Sequence, residues 1–170
     1  MALRKIVKHG DPVLRKRCDL VNVIDKEIKK LVQDMLETMY DAPGIGLAAN
    51  QIGVSLSIAV IDIQPNTKPA PLVLINPKII ELRGSLFEEE GCLSIPGFLA
   101  QIKRGAFAKV SALNLNGMPM IYTGEGLLAR AFQHETDHLN GKFYIDHLPV
   151  IKRLKIQNEI RKRKKIGNWL

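Results

Sequence analysis

The stretch TGEGLLARAFQHETDHLNG, residues 123–141, carries the pattern from which the rest of the chain is best understood. Leu127, Ala131, His134 and His138 recur at helical spacing, so they form one stripe along a helix. Thr123 is the expected cap at its start, and Asn140-Gly141 closes it. The stripe begins apolar and ends in two imidazoles, so the histidines face the same way as the core. Two imidazoles four residues apart lie on one helical face and can reach one divalent ion, with Glu135 beside them as a proton carrier. The plain alternative is a pair of structural histidines. The inward-facing stripe and the helix stop, where a site can open to solvent, favour the metal.

Upstream, Asp11-Pro12 opens a short helical turn. Asp25 is a plausible N-cap for an amphipathic helix bearing Ile28, Leu31, Val32, Met35, Leu36 and Met39, which stops at Pro43-Gly44. A glycine-rich loop, residues 44–51, follows. Residues 57–63, 72–75, 78–82, 106–115 and 118–122 read as strands, with Asn76-Pro77 as a turn and Asn116-Gly117 as a hairpin signal. Pro149 sits early in a last helix, where its missing N–H does no harm. Strands mixed with helices of unequal role, without β-α-β alternation, predict an α+β fold. Its mixed, mainly antiparallel sheets would surround the central metal-bearing helix, with a C-terminal helix beyond.

The 170 residues fit one domain with a real core, and 46% hydrophobic and 25% charged content are ordinary for a soluble globular protein. No apolar run is long enough to span a bilayer. The N-terminus lacks a secretory signal's apolar core, so a cytoplasmic, bacterial-type protein is expected, a processed organellar form being the alternative. Two cysteines suit a reducing compartment. The net charge of +8 is concentrated near one end. Residues 152–165 hold eight basic side chains against a single acid, Glu159, a net +7. We therefore expect a catalytic domain over 1–148 and a basic C-terminal helix or tail over 149–170, packed on or extending from it. The tail reads as a solvated helix end or as a handle for a polyanion such as RNA. No aromatics interleave with its charges, so base stacking is not indicated.

The third ligand distinguishes among metal hydrolases. Downstream of His138 the chain begins to resemble the extended zinc-protease motif, but Tyr144 stands where that motif needs a histidine. Upstream, Cys92 in Glu90-Gly91-Cys92-Leu93-Ser94 is a better candidate. A thiolate with two imidazoles leaves one position for water. Cys18 is read as a buried inert thiol.

Three segments together resemble the peptide deformylase family: residues 44–51 (GIGLAANQ), residues 90–94 (EGCLS) and residues 133–138 (QHETDH), in the right order and separation. The likeness runs from Leu14 to Leu148. It implies removal of the N-formyl group from the initiator methionine of nascent polypeptides, with release of formate. It implies that Cys92, His134 and His138 hold one divalent metal ion and that Glu135 is the general acid/base. A metal-activated hydroxide would attack the formyl carbon. Gln51, through its side-chain amide, and Leu93, through its backbone N–H, would stabilise the oxyanion. Gly44, Gly46 and Gly91 would lie along the extended peptide backbone. Ile45, Leu127 and Ala131 are the candidates for an apolar methionine pocket. The ligand set suits zinc, iron, nickel or cobalt, and the resemblance favours Fe2+ in the cell, with an oxygen-sensitive thiolate.

Glu88 stands where relatives often carry an apolar residue, and Leu99 where some carry an arginine. Arg104 is expected in a structural ion pair with Glu90. The basic tail suggests docking on ribosomal RNA, with no role for membrane or DNA. Another amidase or zinc peptidase, and an RNA-binding protein with a structural metal, are the alternative functions.

Overall fold

The computed structural model describes residues 2–63 and 69–169, so Met1 and Leu170, the outer limits of the expected division, lie outside it. Its elements are α1 (Lys26–Asp41), β1 (Gly46–Ala48), β2 (Ile58–Ile61), β3 (Leu72–Arg83), β4 (Leu86–Cys92), β5 (Ile95–Arg104), β6 (Phe107–Leu113), β7 (Pro119–Glu125), α2 (Gly126–Leu139) and α3 (Val150–Lys165). Short 3₁₀ turns occupy Pro12–Arg15, Ala49–Ile52 and Tyr144–His147. The expected α+β class holds.

The main sheet runs β1-β2-β3-β6-β7, and every pairing in it is antiparallel. β4 and β5 form a separate hairpin. Successive residues of a strand point to opposite faces, and β2 uses both. Ile58 and Val60 pack with Val32, Met35 and Met39 of α1, while Ile61 packs with Ala129, Ala131 and Phe132 of α2. β2 is therefore buried throughout, which its unbroken apolar run required. α1 starts as expected at Asp25, whose carboxylate accepts from the Ile28 N–H at 2.9 Å.

Several boundaries differ from expectation: β1 and most of a 3₁₀ turn fall inside the expected loop of residues 44–51, and β4 and β5 are not among the expected strands. The chain does not turn at Asn76-Pro77. β3 runs straight through, with a register shift against β6 between Ile75 and Lys78. Asn76 takes a positive φ of 54°. Its side-chain amide exchanges two hydrogen bonds with the backbone of Val21, both at 2.9 Å. That side chain substitutes for the lost ladder bonds, so the strand tolerates a proline at its bulge. Nor does Thr123 cap α2. It pairs with Lys109 inside β7, and the helix begins after Glu125. Sheet pairing at Thr123 outweighs the local capping preference.

α3 packs against the rest of the chain. Ile160 is buried in a cluster with Leu14, Ile95, Ile102, Phe143, Tyr144 and Ile145. Arg163 lies over the Phe98 ring at 4.2 Å, and Trp169 packs against that ring from beyond the helix end. Among the described residues, no helix is long and apolar enough to cross a membrane.

Candidate metal centre and substrate cleft

α2 brings both histidines to one point because its other side chains anchor it. Phe132 is fully buried against the sheet. The Gln133 amide accepts from the Gly105 N–H at 2.9 Å and donates to the Gly105 carbonyl at 3.0 Å, tying the helix to the β5–β6 turn. Next to this anchor and one turn beyond it, His134 and His138 bring their Nε2 atoms to 3.1 Å from each other. The β4–β5 hairpin supplies Cys92 next to its turn, with Sγ 3.1 Å from His138 Nε2. The three donor atoms all lie within 4.8 Å of one another. Tetrahedral ligands on bonds of ~2.0–2.3 Å stand ~3.3–3.6 Å apart, so the observed spacing suits a single small divalent ion.

The surroundings orient these donors. Glu90 Oε1 lies 2.5 Å from His134 Nδ1, which fixes that nitrogen as the N–H and leaves Nε2 free as a ligand. Glu90 in turn receives two bonds from Arg104, at 3.0 and 2.7 Å. Arg104 also bonds Asp137 at 2.6 Å. The expected Arg104–Glu90 pair is therefore present, and it braces a candidate ligand. Burial raises the Glu90 carboxyl, but bonds from His134 and Arg104 outweigh this and bring it down to about 2. Burial likewise raises the Cys92 thiol, while the positive field of His138 and bonds from both histidines lower it to about 5. A divalent cation can hold the Cys92 sulfur and the two imidazole Nε2 atoms together in place of protons.

Glu135 is buried beside the histidines, and its Oε2 has no partner among the described residues. Burial lifts its carboxyl to about 7 against the lowering fields of His134 and His138. A carboxyl that exchanges its proton near neutrality is suited to acid/base work. Gln51 is aimed by the loop that precedes it. Its Oε1 accepts from the Ala48 N–H at 2.9 Å, which leaves Nε2 to donate to Ser94 Oγ at 3.2 Å and towards Cys92 Sγ at 3.5 Å.

A cleft of about 670 Å³ opens over these groups, within the size range of small-ligand sites. Gly44, Ile45, Gly46, Gln51, Gly91, Cys92, Leu93, Leu127, Ala131, His134 and Glu135 all line it. His138 sits behind them, 1% exposed. The lining also includes residues with no motif signal. Arg130 reaches Glu88 Oε2 at 2.5 Å and the Glu89 carbonyl, so an ion pair stands beside the cleft that Arg130 lines. Leu99, Phe98 and Lys8 also line it. Tyr144 is a packing residue: its ring stacks on His134 and its hydroxyl donates to the Phe98 carbonyl at 2.8 Å. Cys18 is buried apart from this set, packed with Ala48, Ala59 and Leu139.

Three protein donors leave an ion with room for water, and a buried carboxylate stands next to them. That is the chemistry of a metal-dependent hydrolase. Comparison with known proteins narrows the class. The polypeptide deformylase family model matches residues 3–154. The peptide deformylase of Endomicrobium trichonymphae is 48% identical, covering 99% of this chain and 100% of the relative. That of Acidobacterium capsulatum is 45% identical over 99% and 100% of the two chains. The crystal structure of a peptide deformylase from Legionella pneumophila superposes with a TM-score of 0.91 at 44% identity, covering 98% of each chain. The chain belongs to the polypeptide deformylase family, and is thus a hydrolase that removes the N-formyl group from new polypeptides and releases formate. The Cys92–His134–His138 group fits the single metal ion of that family.

Proposed function

We propose that Cys92, His134 and His138 are the metal ligands of this deformylase and that Glu135 moves the proton during hydrolysis. The observation that carries this is a set of three converging donors with a buried, unpartnered carboxylate oxygen beside them. The bound ion supplies Lewis acidity and a water of lowered pKa. Glu135 takes a proton from water onto its carboxylate and returns it to the leaving amine nitrogen as the C–N bond breaks. Gln51 Nε2 and the Leu93 backbone N–H donate to the formyl oxygen as negative charge develops on it, each contributing ~2.7–4 kcal/mol. Gly44, Gly46 and Gly91 line the cleft along which an extended peptide would lie. Ile45, Leu127 and Ala131 offer apolar contact to the methionine side chain.

Glu135→Ala should lower formate release from a formyl-methionyl peptide by about 10²–10⁴-fold, the usual range for a general base, with metal content unchanged. Normal turnover would remove Glu135 from its role. Ferrous iron is our choice of resident metal, with Zn2+, Ni2+ or Co2+ able to occupy the same donors. Anaerobic metal analysis of freshly isolated protein tests it.

We further assign residues 1–148 to catalysis and 149–170 to a basic helix packed on the same domain, in a cytoplasmic enzyme. Lys152, Lys155, Arg161, Lys162 and Lys165 are exposed along α3, and they would meet ribosomal RNA. Replacing these five with Gln should weaken ribosome co-sedimentation and flatten its salt dependence. Activity on free peptides should not change. Unaltered ribosome binding would reject the docking role.

A further inference from the structure

The segment leading into the first 3₁₀ turn is tied to both strips of chain that carry the proposed oxyanion donors. The Val7 N–H donates to the Gln51 carbonyl and the His9 N–H to the Ser94 carbonyl, each at 2.8 Å. Between them Lys8 lines the cleft and donates its ammonium to the Leu93 carbonyl at 3.0 Å. That carbonyl belongs to the same peptide unit as the Ser94 N–H, which donates to Cys92 Sγ at 3.4 Å. A cation on the oxygen of a peptide polarises its N–H and strengthens the bond that N–H makes. The charge of Lys8 is thereby passed through one peptide plane to the sulfur.

We propose that Lys8 is a positioning residue of the metal centre, holding the Leu93–Ser94 peptide and damping the electron donation of the Cys92 thiolate through the Ser94 N–H. The inference rests on Cys92 being a metal ligand. Lys8 touches neither the reacting atoms nor the ion. It sets the donor strength of the sulfur and the seat of Leu93, so its loss is felt in turnover more than in substrate binding.

The test uses the Co2+-loaded full-length protein and reads the sulfur-to-cobalt charge-transfer absorption beside steady-state kinetics. In Lys8→Met the sulfur holds its electrons less tightly, so the band moves to longer wavelength. In Lys8→Gln, which keeps a donor without the charge, the band moves the same way by less. Lys8→Arg keeps the charge and the wild-type band. The kcat of Lys8→Met falls about ten-fold, the lower end for outer-shell partners of a metal site, while KM stays within about two-fold of wild type. An unshifted band with wild-type kcat in Lys8→Met overturns the proposal. So does a loss confined to KM, which would make Lys8 a substrate contact. A lowered thermal midpoint with an unmoved band also overturns it, since that is the mark of a purely structural role. A wild-type spectrum without any sulfur band would instead overturn Cys92 as a ligand, and the two failures are thereby told apart.

Discussion

Gly46 matters for the side chain it lacks. A Cβ built there would run into Glu135 Oε1 and stand 2.9 Å from its Cδ and 3.2 Å from its Cγ. The first motif thus makes room for the Glu135 carboxylate. Gly46→Ala should push Glu135 aside without touching the three metal-site donors. Misplacing a reacting group by about 1 Å costs on the order of 10²-fold in rate. The expected outcome is a loss of that size in kcat with wild-type metal content, checked by formate release and metal analysis on the same preparation. The same logic explains why Glu90 sits next to the cysteine segment: its carboxylate both receives Arg104 and fixes the His134 tautomer. Motif residues here support one another before they meet substrate.

Among the elements, the 3₁₀ turn Tyr144–His147 is held by a carboxylate that serves two segments. Asp146 accepts from the Phe143 N–H at 2.8 Å and from Arg15 at 2.5 and 3.2 Å, joining the turn to the first 3₁₀ segment. Burial raises its carboxyl, but the Arg15 and Phe143 bonds prevail and hold it below the ordinary value. A depressed folded pKa means that the contribution to stability is complete above the unfolded value of about 3.9 and fades as pH falls through the folded value. Asp146→Asn should therefore lower stability at neutral pH and leave a shallower loss below about pH 4. Urea midpoints measured across that range for both proteins check the sign. If the Asp146→Asn variant is as acid-sensitive as wild type, other carboxylates govern the transition.

Across the whole molecule, the candidate metal centre joins parts that are far apart in the chain. Cys92 comes from the β4–β5 hairpin, while His134 and His138 come from a helix seated on the main sheet. An ion bound to all three recognises the folded arrangement and not the open chain, so its binding energy is also folding energy. At a free-metal concentration about a thousand times Kd, the added stability is about 4.1 kcal/mol. Chelation should lower the thermal midpoint, and readdition of Co2+ or Zn2+ should restore it in a concentration-dependent way. A midpoint indifferent to metal would mean that the three donors do not act together.

Much of this is legible along the chain because the signals are local. The stripe Leu127–His138 has a helical period, β2 is an unbroken apolar run, and the His134–His138 spacing points to two candidate ligands with Glu135 beside them; Gln51 and the choice of Cys92 come from the family resemblance of the three motifs. The boundaries that differ are those set by distant partners. Asn76 reads as a turn because Val21, which completes its hydrogen bonds, lies far away in the chain. Thr123 reads as a cap because Lys109, its strand partner, cannot be inferred from local preference. Lys8 and Arg130 carry no motif and gain meaning from what they touch at the cleft. Periodicity and donor chemistry are properties of neighbouring residues, so they can be read in order. Register, rim charge and the support of a ligand arise when separated segments meet, and packing alone brings those segments together.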